Sequence, residues 1–275
     1  MTSLSRLEAL IATCPSMLVG YSGGVDSALL AVVARRVLGK ERAVAAMGIS
    51  ASYPRVQHER ALAIAATFDL QLLEVVTDEL NDPDYVANAP DRCYFCKSEL
   101  WGKLSEVARS RGMAVVADGT NADDLGDHRP GLRAATERSI RSPLAEAGLT
   151  KTDVRTTARE LSIPVWDAPA SPCLSSRVMY GLEVTPSRLR QVEEGEALLR
   201  ELGVRGDLRV RHRGREARIE VLPSEFARVR GQSAGIAHRL LDLGFDRITL
   251  DLGGYRRGSQ LDGGEPQLEL LARRG

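Results

Sequence analysis

Apolar positions along the chain fall into short continuous runs separated by longer segments of mixed polarity. Met17-Leu18-Val19-Gly20-Tyr21, Ala43-Val44-Ala45-Ala46-Met47-Gly48-Ile49, Gln71-Leu72-Leu73-Glu74-Val75-Val76 and Ala114-Val115-Val116-Ala117-Asp118 each have the length and composition of a strand. The intervening segments have helical length. One opens near Asp26 and carries the apolar residues 28–34, a second is started by Pro54 and runs to Phe68, and a third covers 93–111. Strands alternating with helices in this way predict an α/β domain, a parallel sheet wrapped by helices on both faces. Ligands of such sheets sit beyond the carboxyl ends of the strands, where residues 22–27, 50–53 and 118–124 are expected to converge.

Further along, the pattern changes. Thr150-Lys151-Thr152-Asp153 starts a helix with a capping box, and that helix ends before Pro164. The segment Asp-Ala-Pro-Ala-Ser-Pro-Cys at 167–173 is proline-rich and aperiodic, as a hinge between domains would be. Residues 185–203 predict an amphipathic helix with Leu189, Val192, Leu198, Leu199 and Leu202 on its apolar side and Gly203 as its stop. Residues 208–213 and 216–221 read as a hairpin around Arg213-Gly214-Arg215, followed by a helix over 225–243, a strand at 247–252 and a polar tail after Gly258. The expected division is an α/β domain over 1–170 and a smaller α+β domain over 178–275.

Composition narrows the partners. The chain has 275 residues with 37 basic and 37 acidic side chains, so no bulk field draws it to nucleic acid or to anionic lipid. Of the basic residues 33 are arginine and four are lysine (Lys40, Lys97, Lys103 and Lys151), a bias that also supplies bidentate forks for phosphate. No apolar stretch approaches the roughly 20 residues needed to cross a bilayer, and no leader-like segment opens the chain, so a cytoplasmic location is expected. In that reducing setting the four cysteines are read as metal or sulfur chemistry rather than as disulfides.

The first chemical signal is Ser22-Gly23-Gly24-Val25-Asp26-Ser27, placed where a strand ends and a helix opens. Gly23 and Gly24 can bring backbone N–H groups close to an anion, and the helix adds its unpaired N–H groups and the positive end of its dipole. Ser22 and Ser27 supply hydroxyls, and Asp26 is a candidate Mg²⁺ ligand. The loop has no lysine, so it is not the GxxxxGK[ST] phosphate loop, and no GxGxxG is present. The bland alternative is a glycine turn that caps a helix. Six contiguous residues in the correct context resemble the signature of the PP-loop ATP pyrophosphatases, which implies adenylyl transfer with release of pyrophosphate.

Cysteine and arginine spacing carry the rest. Cys93 and Cys96 form a CxxC at the entry to a helix, with Cys173 far downstream in the interdomain segment. Three thiols are one short of a closed zinc site, whereas a 4Fe-4S cluster on three cysteines keeps one iron open to sulfide. A buried pair with one stray thiol and a thiol–disulfide couple also remain open, and Cys14 is expected to pack in the core. Arg209, Arg211 and Arg213 alternate with Leu208, Val210 and His212, so three guanidiniums share one strand face. That face is either a phosphate site or a solvated surface balanced by Asp207, Glu216 and Glu220. His58, His128 and His238 have no ligand spacing.

Taken together, these motifs resemble the LarE family of ATP-dependent sulfur transferases over nearly the full chain. The match lies in Ser22-Gly-Gly-Val-Asp-Ser27, Asp118-Gly-Thr-Asn-Ala-Asp-Asp-Leu-Gly-Asp127 with Arg129-Pro-Gly131, Arg141-Ser-Pro143, Pro172-Cys-Leu-Ser-Ser-Arg177, Tyr180-Gly181 and Arg209-Val-Arg-His-Arg213. The resemblance implies an adenine nucleotide alpha hydrolase-like PP-loop domain that uses ATP and Mg²⁺ to adenylylate a carboxylate of a pyridinium mononucleotide, for the nickel-pincer cofactor of lactate racemase. It places the nucleotide on Ser22, Gly23, Gly24, Asp26, Ser27, Gly119 and Asn121, and the substrate phosphate on Arg209, Arg211, Ser176 and Arg177. Cys93, Cys96 and Cys173 would bind a 4Fe-4S cluster fed by sulfide or another donor; with Cys173 alone, that residue would give up its own sulfur. A homohexamer is implied as well. Competing readings are a PP-loop tRNA thiolase, which needs a basic surface that a neutral chain lacks, an ammonia-using synthetase, which has no use for three thiols, and a non-catalytic nucleotide or redox sensor.

Overall fold

The computed structural model describes residues 2–126, 130–169, 172–256 and 267–272. Asp127, His128 and Arg129, the junction residues Ala170 and Ser171, and the first part of the tail lie outside the described residues. The chain divides into two compact units, Met1–Asp82 with Asp91–Ser171, and Pro83–Pro90 with Pro172–Gly275.

In chain order the elements up to the junction are α1 (Ser3–Ala12), β1 (Met17–Gly20), α2 (Val25–Leu38), β2 (Ala43–Ile49), α3 (Arg55–Thr67), β3 (Gln71–Val76), α4 (Pro83–Val86), α5 (Arg92–Ser110), β4 (Val115–Ala117), α6 (Pro130–Glu137), α7 (Pro143–Glu146) and α8 (Lys151–Glu160). All but α4 belong to the first unit. Its strands form one parallel sheet in the order β3-β2-β1-β4. Alternate side chains of β1 enter two different cores, because successive residues of a strand point to opposite faces. Met17 and Val19 pack with α1, α2, α3 and α8, whereas Leu18 packs with Trp101, Leu104 and Ala108 of α5. Sheet growth therefore reverses between β1 and β4, which puts the ligand crevice of such a fold beyond the carboxyl ends of those two strands.

The second unit holds α4 and, after the junction, α9 (Pro186–Glu201), β5 (Leu208–Arg213), β6 (Glu216–Val221), α10 (Phe226–Gly231), α11 (Ser233–Asp242), β7 (Arg247–Asp251) and β8 (Gln267–Ala272). Its sheet runs β5-β6-β7-β8, antiparallel at both edges and parallel between β6 and β7. The α/β and α+β expectation holds, with two local corrections. The helix expected over 225–243 is broken at Gln232, whose φ of −113° and ψ of 14° leave the helical range after the weak helix former Gly231. Gln232 then donates its Nε2 to the Leu202 carbonyl at 3.3 Å. The polar tail also contributes an edge strand, β8, whose Leu268 and Leu270 pack on the second core.

The excursion 83–90 is fixed within the second unit by Asn88. This fully buried residue has a φ of 56°, and its Nδ2 donates to the carbonyls of Val178, Met179 and Leu182 at 3.3, 2.9 and 2.8 Å. Replacing Asn88 with alanine would leave those carbonyls short of a donor and keep a strained backbone, at a cost of about 2–4 kcal/mol. Urea unfolding should show that loss as a lower midpoint; a midpoint equal to wild type would contradict this role.

Candidate active site

The loop after β1 is shaped by contacts that only small residues allow. Gly23 has a φ of 67°, and a Cβ there would lie 2.6 Å from the Ala61 Cβ of α3. No side chain caps α2 at Gly24, so the first-turn N–H groups of that helix face the crevice without a protein acceptor of the usual kind. Ser27 Oγ donates to the Gly24 carbonyl at 3.1 Å and accepts from the Ser22 N–H at 3.1 Å, which closes the turn. Tyr53 Oη and Gln57 Nε2 both donate to the Ser22 carbonyl, at 3.0 and 2.8 Å.

The loop after β4 comes within van der Waals contact of α2. A Cβ on Gly119 would lie 2.8 Å from the Ser27 nitrogen, so that position must be glycine for the two loops to meet. Asn121, almost fully buried, donates its Nδ2 to Asp26 Oδ1 at 3.1 Å. Asp118 accepts from the Thr120 N–H and hydroxyl and from Ser142 Oγ at 2.8–3.0 Å, and so holds the loop rather than facing a ligand. Residues 22–27, 50–53 and 118–124, the segments expected to converge, therefore gather at one end of the sheet.

A group that sequence reasoning missed completes the cluster. Lys151, the first residue of α8, places its ammonium 2.5 Å from Asp26 Oδ2. Its helix start is fixed by the Thr150–Asp153 capping box and by Asp123, which accepts from the Lys151 N–H at 2.8 Å. The glycine turn has no lysine of its own, so the cation beside it comes from 125 residues downstream. A lysine inside a capping box, in a chain with only four lysines, was the available signal.

The second unit arranges its own residues around Cys173, a half-buried free thiol. The Cys173 carbonyl accepts from the Ser176 N–H, Ser176 Oγ and Arg177 Nη1 at 3.1, 2.7 and 2.9 Å. Arg177 is buried and pairs with Glu196 through Nε and Nη2 at 3.0 and 3.3 Å. The polar atoms of Ser176 and Arg177, two residues expected at a substrate phosphate, bond to the carbonyl of the cysteine turn. Arg209 and Arg211 share a strand face but are buried rather than solvated. Arg211 pairs with Glu220 at 3.1 Å and donates to the Ser176 carbonyl at 2.8 Å. Arg209 lies over the Tyr255 ring, and burial, followed by the charge of Arg177, pulls its pKa down.

Cys93 and Cys96 stand in the first turns of α5, exposed and half-buried respectively, and neither is in a disulfide. Cys14 is buried, as expected, and accepts from Arg141 Nη1 at 3.3 Å. Among the described residues no three His, Cys, Asp or Glu side chains are grouped as a metal centre requires. The expected three-cysteine cluster would draw Cys93 and Cys96 from the first unit and Cys173 from the second. Among the same residues no helix is long and apolar enough to cross a membrane.

A glycine turn at the switch point of a parallel sheet, an uncapped helix start and an Asp–Asn–Lys cluster define a PP-loop nucleotide-binding domain of the ATP pyrophosphatase type. Sequence comparison agrees: the NAD synthase family profile matches residues 7–98. The chain is 43% identical, over 94% of its length and 96% of the relative, to an uncharacterised protein of Synechocystis sp.. It is 34% identical to the pyridinium-3,5-bisthiocarboxylic acid mononucleotide synthase of Lactiplantibacillus plantarum, over 95% of this chain and 94% of that one. An uncharacterised Methanocaldococcus jannaschii protein is 31% identical over 87% of this chain and 90% of its own. The chain belongs to the family of the Lactiplantibacillus synthase, the LarE family, and is an ATP-dependent enzyme.

Lys151→Met should weaken ATP binding about 10–100-fold through loss of a charge-assisted contact, with the circular dichroism spectrum unchanged. Unchanged affinity in calorimetry would mean that Lys151 serves only to balance Asp26.

Proposed function

We propose that this protein is an ATP-dependent sulfur transferase acting on a carboxylate of a pyridinium mononucleotide. One observation carries the proposal. The uncapped start of α2, Gly23, Gly119, Asp26, Asn121 and Lys151 meet beyond the carboxyl ends of β1 and β4, in a chain 34% identical along nearly its whole length to an enzyme named for a pyridinium bisthiocarboxylic acid mononucleotide. The N–H groups of 23–27 and the hydroxyls of Ser22 and Ser27 receive the ATP phosphates, with Gly119 and Asn121 closing the opposite side. A carboxylate oxygen of the substrate attacks the α-phosphorus, the bond to pyrophosphate breaks, and an acyl adenylate forms. The helix dipole and the Lys151 ammonium offset the charge that develops on the departing pyrophosphate. Asp26, part-exposed beside the loop, fits as a ligand of Mg²⁺, which when bound would neutralise phosphate charge.

The sulfur is assigned to Cys173 Sγ, which attacks the acyl carbon and expels AMP to leave a thioester. Loss of the Cys173 Cα proton to solvent, with cleavage of its Cβ–Sγ bond, then frees the thiocarboxylate and leaves dehydroalanine. No step passes through an iron–sulfur cluster. Arg209 and Arg211 are assigned to the substrate phosphate: they are neighbouring buried guanidiniums on one face of β5, a pair suited to a phosphate group. On the same proposal, residues 1–170 are the PP-loop domain and 178–275 the substrate domain of a cytoplasmic homohexamer, and the product enters the nickel-pincer cofactor of lactate racemase.

With the pyridinium carboxylate present, ATP should yield pyrophosphate rather than phosphate, and Asp26→Asn should lower that release at least about 100-fold while the protein stays folded. Full activity in Asp26→Asn would refute its role. Cys173→Ala should still release pyrophosphate yet form no thiocarboxylate. After turnover without oxygen, wild-type Cys173 should have lost the mass of hydrogen sulfide in protein lacking iron. About four iron and four sulfide per chain would overturn that route in favour of a cluster on Cys93, Cys96 and Cys173.

A further inference from the structure

We infer that Tyr85 is a positioning residue for sulfur transfer, holding the Cys173 turn through Ser175, an inference that rests on the sulfur role proposed for Cys173. Tyr85 belongs to the excursion 83–90, which leaves the first unit after β3, joins the second, and returns before α5. It is 1% exposed, and its hydroxyl lies 2.5 Å from the Oγ of Ser175, a fully buried residue two positions past Cys173. The rest of the excursion splints the segment that follows. The Asn88 carbonyl accepts from the Gly181 N–H at 3.2 Å, and the Val86 carbonyl accepts from the Val184 N–H at 2.9 Å. β5 braces the same segment: Arg211 Nη1 donates to the Ser176 carbonyl at 2.8 Å, and the His212 carbonyl accepts from the Met179 N–H at 3.0 Å.

Stability alone does not account for two hydroxyls in this place. Burying them against each other exchanges water for a protein partner at little net gain, and a Phe–Ala pair of similar shape would be about as stable. What the pair supplies is direction. The Cys173 carbonyl is held by Ser176 and Arg177, and the Ser176 carbonyl by Arg211, so two peptide groups of the turn are anchored through their oxygens. Ser175 lies between those two residues and is anchored through its side chain, to Tyr85. A turn fixed at 173, 175 and 176 leaves the half-buried thiol little freedom beyond rotation of its own side chain. That restriction matters for the attack on the acyl adenylate, where sulfur must approach carbon to about 3–3.5 Å and a misplacement of about 1 Å costs on the order of 100-fold in rate. Adenylylation belongs to the first unit and makes no use of Tyr85.

The test compares Tyr85→Phe, Ser175→Ala and the double variant in single turnovers with ATP, Mg²⁺ and the pyridinium carboxylate, alongside urea unfolding. Tyr85→Phe should slow thiocarboxylate formation about 10–100-fold, while first-turnover pyrophosphate release and its half-saturating ATP concentration stay at wild-type values. The double variant, with both hydroxyls removed, should recover most of the stability lost in Tyr85→Phe and none of the rate. A rate that recovers together with the unfolding midpoint would overturn the inference in favour of a purely structural bond. So would wild-type thiocarboxylate formation in Tyr85→Phe, or an equal fall in pyrophosphate release. Alkylation of Cys173 by iodoacetamide, followed by peptide mass, needs no turnover: it should be several-fold faster in the double variant, and equal rates would overturn the inference. Wild type that releases pyrophosphate yet forms no thiocarboxylate would sink the sulfur role of Cys173, and the alkylation rates would still decide the positioning.

Discussion

The close approach of the β4 loop to the first turn of α2 is the constraint on which the nucleotide site depends. Gly119 lies so near the Ser27 backbone that any side chain would force the two loops apart. That contact lets Asn121 reach Asp26, and Asp123 in the same loop receives the N–H of Lys151 at the start of α8. Each of these bonds joins a different strand end or helix start, so the charges around the glycine turn are fixed by the scaffold and not by the turn's own six residues. The sheet explains why the contact occurs there. Its order reverses between β1 and β4, helices lie on opposite faces, and the crevice left between the two strand ends is the one place where both loops are free to meet.

The second unit applies the same logic to a sulfur atom. Three donors converge on the Cys173 carbonyl, so the backbone is held while the thiol stays half open. Arg177 can do this because Glu196 takes two of its remaining nitrogens, and the Glu196 Oε1 that accepts from Arg177 also accepts from the Val210 N–H at 3.3 Å, which ties the clamp to β5. Buried charge here is compensated pair by pair, as buried charge must be. Burial, followed by the charge of Arg177, depresses the pKa of Arg209.

Much of the first unit was legible because its strands are short and apolar on both faces, and because the glycine turn has a fixed place between strand and helix. Ala43–Ile49 and Gln71–Val76 have the bounds that apolarity alone assigns. What escaped was long-range. Lys151 reads locally as a helix start, and nothing nearby reveals that its ammonium reaches Asp26. Asn88 looks like a turn residue before Pro90, whereas its side chain joins three carbonyls some 90 residues away in the chain. The bonds from Ser176 and Arg177 to the Cys173 carbonyl could likewise not be read from the spacing of their motif.

The central claim is that a substrate carboxylate attacks the α-phosphorus of ATP. The most direct measurement uses the pyridinium carboxylate carrying heavy oxygen and follows the label by mass spectrometry after a single turnover. One labelled oxygen is expected in AMP and none in pyrophosphate, because the carboxylate oxygen leaves with the adenylyl group when sulfur displaces it. Unlabelled AMP, or label found in any other phosphate product, would contradict an acyl adenylate and with it the assigned function.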